Sequence, residues 1–256
     1  AASVADAACR LIGMAARQAI ADHGRFRLVL SGGSTPQATY ERLASSVQNW
    51  KRWSLYYGDE RCLPADDPQR NSQMVIGTGL AARVGKHYPI PTELGAKVAA
   101  TKYRERIKTA LPFDMVLLGM GEDGHTASLF PGHEHPAGEQ VHAVSGAPKP
   151  PPDRVSLSRE ALSDSRDVLI LITGTGKRAA VQRWRAGEDL PIAHITAHDH
   201  LRVLVDREAG FDFPDDDRVQ QGSQRLRVGR DGRPTGDEQR VGLLPICGPQ
   251  GDTDRA

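Results

Sequence analysis

Cysteine, aromatic residues and long hydrophobic runs are all scarce in this chain of 256 residues. Its 3 cysteines, Cys9, Cys62 and Cys247, are far apart and odd in number, which argues against a disulfide framework and favours a reducing, cytoplasmic setting. No stretch approaches the roughly 18 consecutive apolar residues of a membrane span. Asp6 and Arg10 interrupt the first apolar segment, where a signal peptide would stay uncharged. We therefore expect no membrane association.

The chain also lacks an excess of either charge, because 33 basic and 32 acidic residues leave a net charge of +1. Without a basic surface or a nucleic-acid-binding motif, we expect no nucleic acid partner. Hydrophobic residues make up 39% of the chain, which is enough for a globular core. From about Gly210 the sequence becomes rich in glycine, proline and charge and loses periodicity. We expect one domain over 1–209 and a mostly disordered tail over 210–256, with docking through Val241–Ile246 as the alternative.

The apolar residues predict helices and strands that alternate along the chain. The main predicted helices cover 3–22, 71–82, 92–110 and 177–185, and the strands cover 26–30, 53–57, 113–118, 141–144, 154–157, 168–173 and 201–205. This order predicts an α/β fold with an open, mostly parallel sheet and helices on both faces, Rossmann-like and doubly wound. Ligands bind beyond the carboxyl ends of such strands. The candidate site therefore comprises the segments that follow predicted strands, namely 31–35, 58–61, 119–125 and 174–177.

The first of these segments predicts an anion site. Gly32, Gly33, Ser34 and Thr35 lie between a strand and a helix whose first turn contains Pro36. Backbone N–H groups at a helix N-terminus bind anions, and glycines allow the anion to approach the backbone closely. This pattern indicates a phosphate site, with a flexible turn as the alternative.

Two further segments supply cations. Arg61 can bind a phosphate or an oxyanion through two hydrogen bonds, and we expect Asp59 or Glu60 to hold it in place. Lys177 follows a glycine-rich turn at a predicted helix start and can face an anion. That turn is not a P-loop, because Arg178 replaces the hydroxyl residue that would bind magnesium. Ordinary surface charge is the alternative for both segments.

The segment 119–125 contains a GxGxxG pattern and ends in Asp123-Gly124-His125. A dinucleotide site needs a long helix after this pattern, and Pro131 leaves room for two turns at most. Histidine is the usual general base near neutral pH, and a nearby carboxylate can orient it. The pattern therefore favours an acid/base site formed by Asp123 and His125, although a single loop histidine is often inert.

Histidine spacing also raises a metal hypothesis. Ligand-like spacings occur in His133-x-His135 and in the group His194, His198 and His200. No cysteine or HExxH motif accompanies them, so we expect no metal.

Five segments together resemble the 6-phosphogluconolactonase family. In chain order they are Ser31–Pro36, Asp59–Arg61 with Asn71, Gly119–Pro131, Pro150–Pro152 before Arg154, and Gly174 with Lys177. The resemblance covers residues 1 to about 209, although the chain opens inside the first helix, without the strand that usually precedes it. The related glucosamine-6-phosphate deaminases share the glycine loop and the GxGxDGH turn, but they continue differently where this chain has Ser128-Leu129-Phe130-Pro131.

The resemblance implies hydrolysis of 6-phospho-D-glucono-1,5-lactone to 6-phosphogluconate, a step of the oxidative pentose phosphate pathway. His125 would take a proton from water, Asp123 would orient His125, and Arg61 and Lys177 would divide phosphate binding and oxyanion stabilisation between them. Substrate contacts are expected from Gly32, Gly33, Ser34, Thr35, Asp59, Arg61, Arg154 and Lys177. The expected partner is a small sugar-phosphate lactone, with no cofactor, and the expected state is a monomer or weak dimer. A deaminase-like isomerase and a non-catalytic sugar-phosphate sensor remain alternatives.

Overall fold

The computed structural model describes residues 2–136 and 138–210, together with the backbone of Gly242–Leu243. The helices are α1 (Ala2–His23), α2 (Ser34–Ala44), α3 (Asn71–Gly77), α4 (Ala96–Ile107), α5 (Arg159–Ser163) and α6 (Arg178–Arg185). The strands are β1 (Phe26–Leu30), β2 (Trp53–Tyr57), β3 (Asp59–Arg61), β4 (Lys86–His87), β5 (Phe113–Gly119), β6 (Val141–Val144), β7 (Arg154–Leu157), β8 (Ser165–Ile172), β9 (His200–Val205) and β10 (Gly242–Leu243). None of the described helices is long and apolar enough to cross a membrane.

The main sheet has the strand order β10-β9-β8-β5-β1-β2-β4 and is parallel except at β10. The predicted open, mostly parallel α/β sheet is therefore confirmed. Strands β1 and β5 are buried over nearly their whole length, as expected for parallel strands whose two faces are both covered. Most of the predicted tail, 210–256, lies outside the described residues. Within its 241–246 segment, Gly242–Leu243 pairs with β9.

A second, antiparallel sheet with the order β3-β7-β6 was not expected from the sequence. The segment 58–61, predicted to be a loop, contributes strand β3, in which Asp59 pairs with Ser156 and Arg61 pairs with Arg154. Three residues rich in charge carry no alternating apolar pattern, so their strand conformation depends on pairing with the distant β7. This sheet brings β3 and β7 to the same side of the site.

Two predicted helices are shorter in the structure. The helix expected over 71–82 ends at Gly77, and a second glycine, Gly79, follows with a positive φ of 78°. The helix expected over 92–110 is divided, because a 3-10 turn covers Thr92–Leu94 and Gly95 adopts a φ of 83° before α4 begins. Glycine reaches these left-handed conformations readily, and they interrupt helical hydrogen bonding.

Buried tyrosines connect the core to the site. The Tyr40 hydroxyl on α2 donates to the carbonyl of Ser31 and accepts its N–H group, both at 2.9 Å. Because Tyr40 is fully buried, burial raises the pKa of its hydroxyl, which therefore stays protonated and can make both bonds. The end of β1 is thus fixed to the helix that follows the Ser31–Thr35 loop.

Candidate active site

A cavity of about 310 Å³ opens beyond the carboxyl ends of β1, β5 and β8. It is lined by Ser31, Gly32, Gly33, Ser34, Thr35, Pro36, Asp59, Arg61, Asn71, Gly119, Met120, Gly121, His125, Ala127, Lys149, Arg154, Leu171, Thr173 and Lys177. The structure therefore brings His125 and every residue expected to contact the substrate to this cavity, whereas Asp123 contacts His125 instead and Glu60 does not line the cavity.

The turn after β5 holds His125 against Asp123. Nδ1 of His125 and Oδ1 of Asp123 are hydrogen bonded, and the same oxygen accepts the backbone N–H of His125 at 3.2 Å. The turn closes through the N–H of Gly121, which donates to the His125 carbonyl at 2.8 Å. A Cβ on Gly121 would overlap the imidazole and lie 2.6 Å from Oδ1 of Asp123, so glycine is needed there to keep this arrangement of His125 and Asp123. With Nδ1 bonded to the carboxylate, Nε2 is the ring nitrogen available to water.

The pKa values of this pair favour a neutral imidazole beside an ionised carboxylate. Burial lowers the pKa of His125 below 6.5, and Asp123 only partly opposes this effect. Burial would raise the pKa of Asp123, but the hydrogen bonds and charge of His125 outweigh it and bring that pKa below 3.8. At neutral pH the imidazole is thus unprotonated, as a general base must be.

Phe130, which the sequence analysis assigned no role, supports the imidazole. Its ring centroid lies 4.7 Å from that of His125, and the guanidinium of Arg154 lies 5.6 Å from the same ring. Phe130 is buried, so it fixes two groups of the cavity at once. Its place inside the Gly119–Pro131 motif was the signal that could have identified it.

The Ser31–Thr35 segment has the geometry of an anion site. Gly33 has a φ of 109° and precedes α2, and no side chain caps the N-terminus of this helix. The hydroxyls of Thr35 and Thr173 are 2.5 Å apart, which links the start of α2 to the end of β8. A Cβ on Gly32 would lie 2.9 Å from Cγ of Asn71, so the glycine allows close packing with α3. Residues Gly32–Thr35 line the cavity, and backbone N–H groups at such a helix N-terminus can bind phosphate oxygens.

Glu60 on β3 holds the backbone of Arg61, whereas the guanidinium of Arg61 has another partner. Glu60 accepts backbone N–H groups of Arg61, Asn71 and Ser72 at 2.9, 2.7 and 2.8 Å. Because side chains alternate along a strand, the Glu60 side chain points away from that of Arg61 and into the interior beneath α3. The guanidinium of Arg61 donates instead to the Gln69 carbonyl. The expectation that Asp59 or Glu60 holds Arg61 in place is therefore met by Glu60 at the backbone of Arg61, while the side chain of Arg61 is held by the Gln69 carbonyl.

Asp59 is the acidic residue among the described groups that line the cavity. Its carboxylate accepts the Ser128 hydroxyl at 2.6 Å and the Asn71 amide at 3.0 Å, and it lies 3.9 Å from the Arg154 guanidinium. Asp59 thereby ties the turn after His125 to β3 and β7. Its contacts indicate a residue that positions the walls of the cavity.

Four cations line the same cavity: Arg61, Lys149, Arg154 and Lys177. Arg154 donates to the carbonyls of Lys149, Pro150 and Pro151 at 3.0, 3.2 and 3.1 Å. It thus fixes the proline-rich segment and with it the position of Lys149, which the sequence analysis missed although it precedes the quoted Pro150–Pro152 motif. Burial lowers the pKa of Lys177, with Glu122 partly opposing that shift. Four cations against one carboxylate suit a dianionic ligand.

The histidines of the metal hypothesis are not assembled into a ligand set. Nδ1 of His135 lies 2.9 Å from Nε2 of His142, and His194 pairs with Asp189. Over residues 2–136 and 138–210, no group of three or more His, Cys, Asp or Glu side chains is arranged to hold a metal ion.

Comparisons with known proteins identify the family of the chain. The family model described as glucosamine-6-phosphate isomerases/6-phosphogluconolactonase matches residues 1–204. A 6-phosphogluconolactonase of Mycobacterium bovis is 34% identical over 82% of this chain and 94% of its own. The GDH/6PGL endoplasmic bifunctional protein of Oryctolagus cuniculus is 38% identical over 64% of this chain. The crystal structure of 6-phosphogluconolactonase from Thermotoga maritima superposes with a TM-score of 0.72 at 29% identity, covering 78% of this chain and 94% of that one.

The chain spans only part of several of these relatives. It covers 22% of the rabbit protein and 65% of a chloroplastic 6-phosphogluconolactonase of Arabidopsis thaliana.

Proposed function

Because the chain belongs to the glucosamine-6-phosphate isomerase/6-phosphogluconolactonase family, we propose that it hydrolyses 6-phospho-D-glucono-1,5-lactone to 6-phospho-D-gluconate in the oxidative pentose phosphate pathway. The observation that carries the proposal is the His125–Asp123 pair at the wall of a cavity lined by four cations. A neutral imidazole fits the proton transfer, and the cations fit the phosphate and the developing oxyanion.

The proposed reaction begins when Nε2 of His125 takes a proton from water as the water oxygen attacks the lactone carbonyl. Negative charge develops on the carbonyl oxygen, where Arg61 or Lys177 stabilises it. Collapse of the tetrahedral intermediate breaks the bond between C1 and the ring oxygen. The ring oxygen receives the proton from His125 and becomes a hydroxyl group, and the new carboxylic acid ionises. Asp123 holds the imidazole and stabilises its protonated form.

The magnitudes suit this substrate. A positioned general base contributes about 10²–10⁴ in rate, and one oxyanion donor contributes about 10²–10³. A lactone is an activated ester that already hydrolyses in water, so these contributions suffice. The reaction needs only proton transfer and charge stabilisation, and the proposal therefore includes neither a metal nor an organic cofactor.

The phosphate of the substrate is proposed to bind the backbone of Gly32–Thr35 together with one of the cations Arg61 and Lys177. The N-terminus of α2 and a cation together provide both hydrogen-bond donors and charge. A cytoplasmic location belongs to the same proposal and rests on the small number of cysteines.

The test is the decay of 6-phosphogluconolactone, generated in situ, with the wild type, His125→Ala and the control His198→Gln. His198 lies outside the cavity, paired with Asp164, and is half-exposed. We expect the wild type and the control to accelerate decay, and His125→Ala to lose about 10²–10⁴ of the rate while still binding 6-phosphogluconate. Binding by the wild type without turnover would favour the sugar-phosphate sensor, and ammonia release from glucosamine 6-phosphate would favour the deaminase.

A further inference from the structure

Glu122 stands at the rim of the cavity, between the two lysines that line it. Oε2 of Glu122 lies 3.7 Å from Nζ of Lys149. A Cβ on Gly176 would lie 3.7 Å from Oε1 of Glu122, so this side chain also lies along the turn that leads to Lys177. Glu122 immediately precedes Asp123, so this carboxylate belongs to the reacting end of the site. The mechanism proposed above uses neither Glu122 nor Lys149.

The Glu122–Lys149 pair is loose. The side chains are 65% and 41% exposed, and their separation exceeds that of a direct hydrogen bond. Such pairs contribute little to stability because water solvates both ends. An incoming anion can therefore replace Glu122 as the counter-ion of Lys149 at little cost.

Lys149 also acts electrostatically on the catalytic groups. Its charge contributes to the lowered pKa of His125, after the larger effect of burial, and to that of Lys177. Glu122 acts on Lys177 in the opposite direction. The two rim residues thus have opposite effects on the pKa of Lys177, which Lys149 lowers and Glu122 raises.

Hydrolysis changes the charge that the rim must accommodate. The substrate carries its charge on the phosphate, whereas the product carries a new carboxylate formed at C1, where His125 delivers water. Repulsion between Glu122 and this carboxylate therefore acts on the product more strongly than on the substrate.

On the basis of the proposed function, we propose that Lys149 is a further substrate-binding residue, and that Glu122 is a rim carboxylate that competes with ligand anions for Lys149 and weakens the binding of the product. Lys149 attracts both the lactone and the product. Glu122 weakens the binding of the product more than that of the lactone, because the product brings one more negative charge to the reacting end.

The test compares Glu122→Gln and Lys149→Met with a matched pair elsewhere. Glu105 and Lys108 form an exposed ion pair at the end of α4, and neither residue lines the cavity. Glu105→Gln and Lys108→Met therefore make the same charge changes away from the site. Calorimetry measures the Kd of 6-phosphogluconate for each variant, and initial rates give KM and kcat for the lactone.

We expect Glu122→Gln to lower the Kd of 6-phosphogluconate by about three- to tenfold, as one charge on a half-exposed rim would. Its KM for the lactone should fall less, so that the ratio of product Kd to KM decreases. Lys149→Met should raise both constants by a similar factor. The melting temperatures of all four variants should match the wild type, since neither pair is buried.

Three results would overturn the inference: a Glu122→Gln Kd equal to that of Glu105→Gln, equal changes in product Kd and KM, or no binding of 6-phosphogluconate by the wild type. Failure of the proposed function gives a different pattern. If Glu122→Gln tightens 6-phosphogluconate binding while the wild type does not accelerate lactone decay, the rim pair still controls the anion affinity of the site and only the activity is wrong.

Discussion

Gly121→Ala tests the geometry of the proposed base without removing it. The added Cβ would overlap Nδ1 of His125 and lie 2.6 Å from Oδ1 of Asp123. These atoms are the two ends of the hydrogen bond that orients the imidazole. The methyl group and this bond cannot occupy the same space, so the His125 ring must rotate away from Asp123.

The expected loss follows from the role of that bond. Misplacing a general base costs about 10²–10⁴ in kcat, or about 2.7–5.5 kcal/mol in the activation barrier. The fold should tolerate the change, because the lost hydrogen bond contributes only about 0.5–1.5 kcal/mol to the free energy of unfolding. The affinity for 6-phosphogluconate should change little, since the phosphate is proposed to bind the Ser31–Thr35 turn.

Gly119→Ala is the matched control, because it places the same methyl group at the start of the same turn. Its Cβ would meet Oγ of Ser31 at 3.7 Å, an ordinary contact. Initial rates of lactone decay above the spontaneous background are measured for both variants, with 6-phosphogluconate binding measured by calorimetry. If Gly121→Ala keeps kcat within threefold of Gly119→Ala, the His125–Asp123 arrangement does not control turnover and the reasoning is refuted.

Three further predictions concern pH and packing. In the wild type, kcat/KM should rise with pH through an apparent pKa below 6.5, because the neutral form of His125 is the active one. Asp123→Asn should shift this rise to lower pH and reduce kcat at least about tenfold. A shift to higher pH would contradict the electrostatic role of the carboxylate. Burial lowers the pKa of His142 to about 4 in the folded protein, so the unfolded chain takes up a proton first and stability falls as pH drops from 6.5 towards 4. Urea unfolding at pH 7 and pH 4.5 should show that His142→Leu removes about 2–3 kcal/mol of this acid-induced loss; an unchanged pH dependence would assign the loss to other groups. Gly32→Ala places a Cβ 2.9 Å from Cγ of Asn71, so the turn must move, and titration with 6-phosphogluconate should show at least about tenfold weaker binding; wild-type affinity would mean that this turn does not hold the phosphate.

The sequence alone determined the order of the main elements and the segments that line the candidate site. Strands β1, β2, β6 and β7 have the bounds expected from their apolar runs. These runs are local properties, because each apolar residue is counted against its immediate neighbours. The glycine-rich turns are local too, since they reflect what a short stretch of backbone can adopt.

Tertiary contacts decided what local patterns could not. Strand β3 exists because it pairs with β7, far along the chain, and that pairing gives Asp59 the partners Ser128 and Arg154. Glu60 became a buried acceptor of backbone N–H groups for the same reason, where the sequence suggested a partner for Arg61.

The contrast is clearest at Asp123, His125 and Lys149. Only Gly124 separates the first pair, so the turn that joins them could be predicted from the sequence as an acid/base site. Lys149 lines the same cavity, in a segment whose carbonyls are bound by Arg154. Its proximity to Glu122 follows from the packing of segments distant in sequence, and such contacts depend on the whole fold.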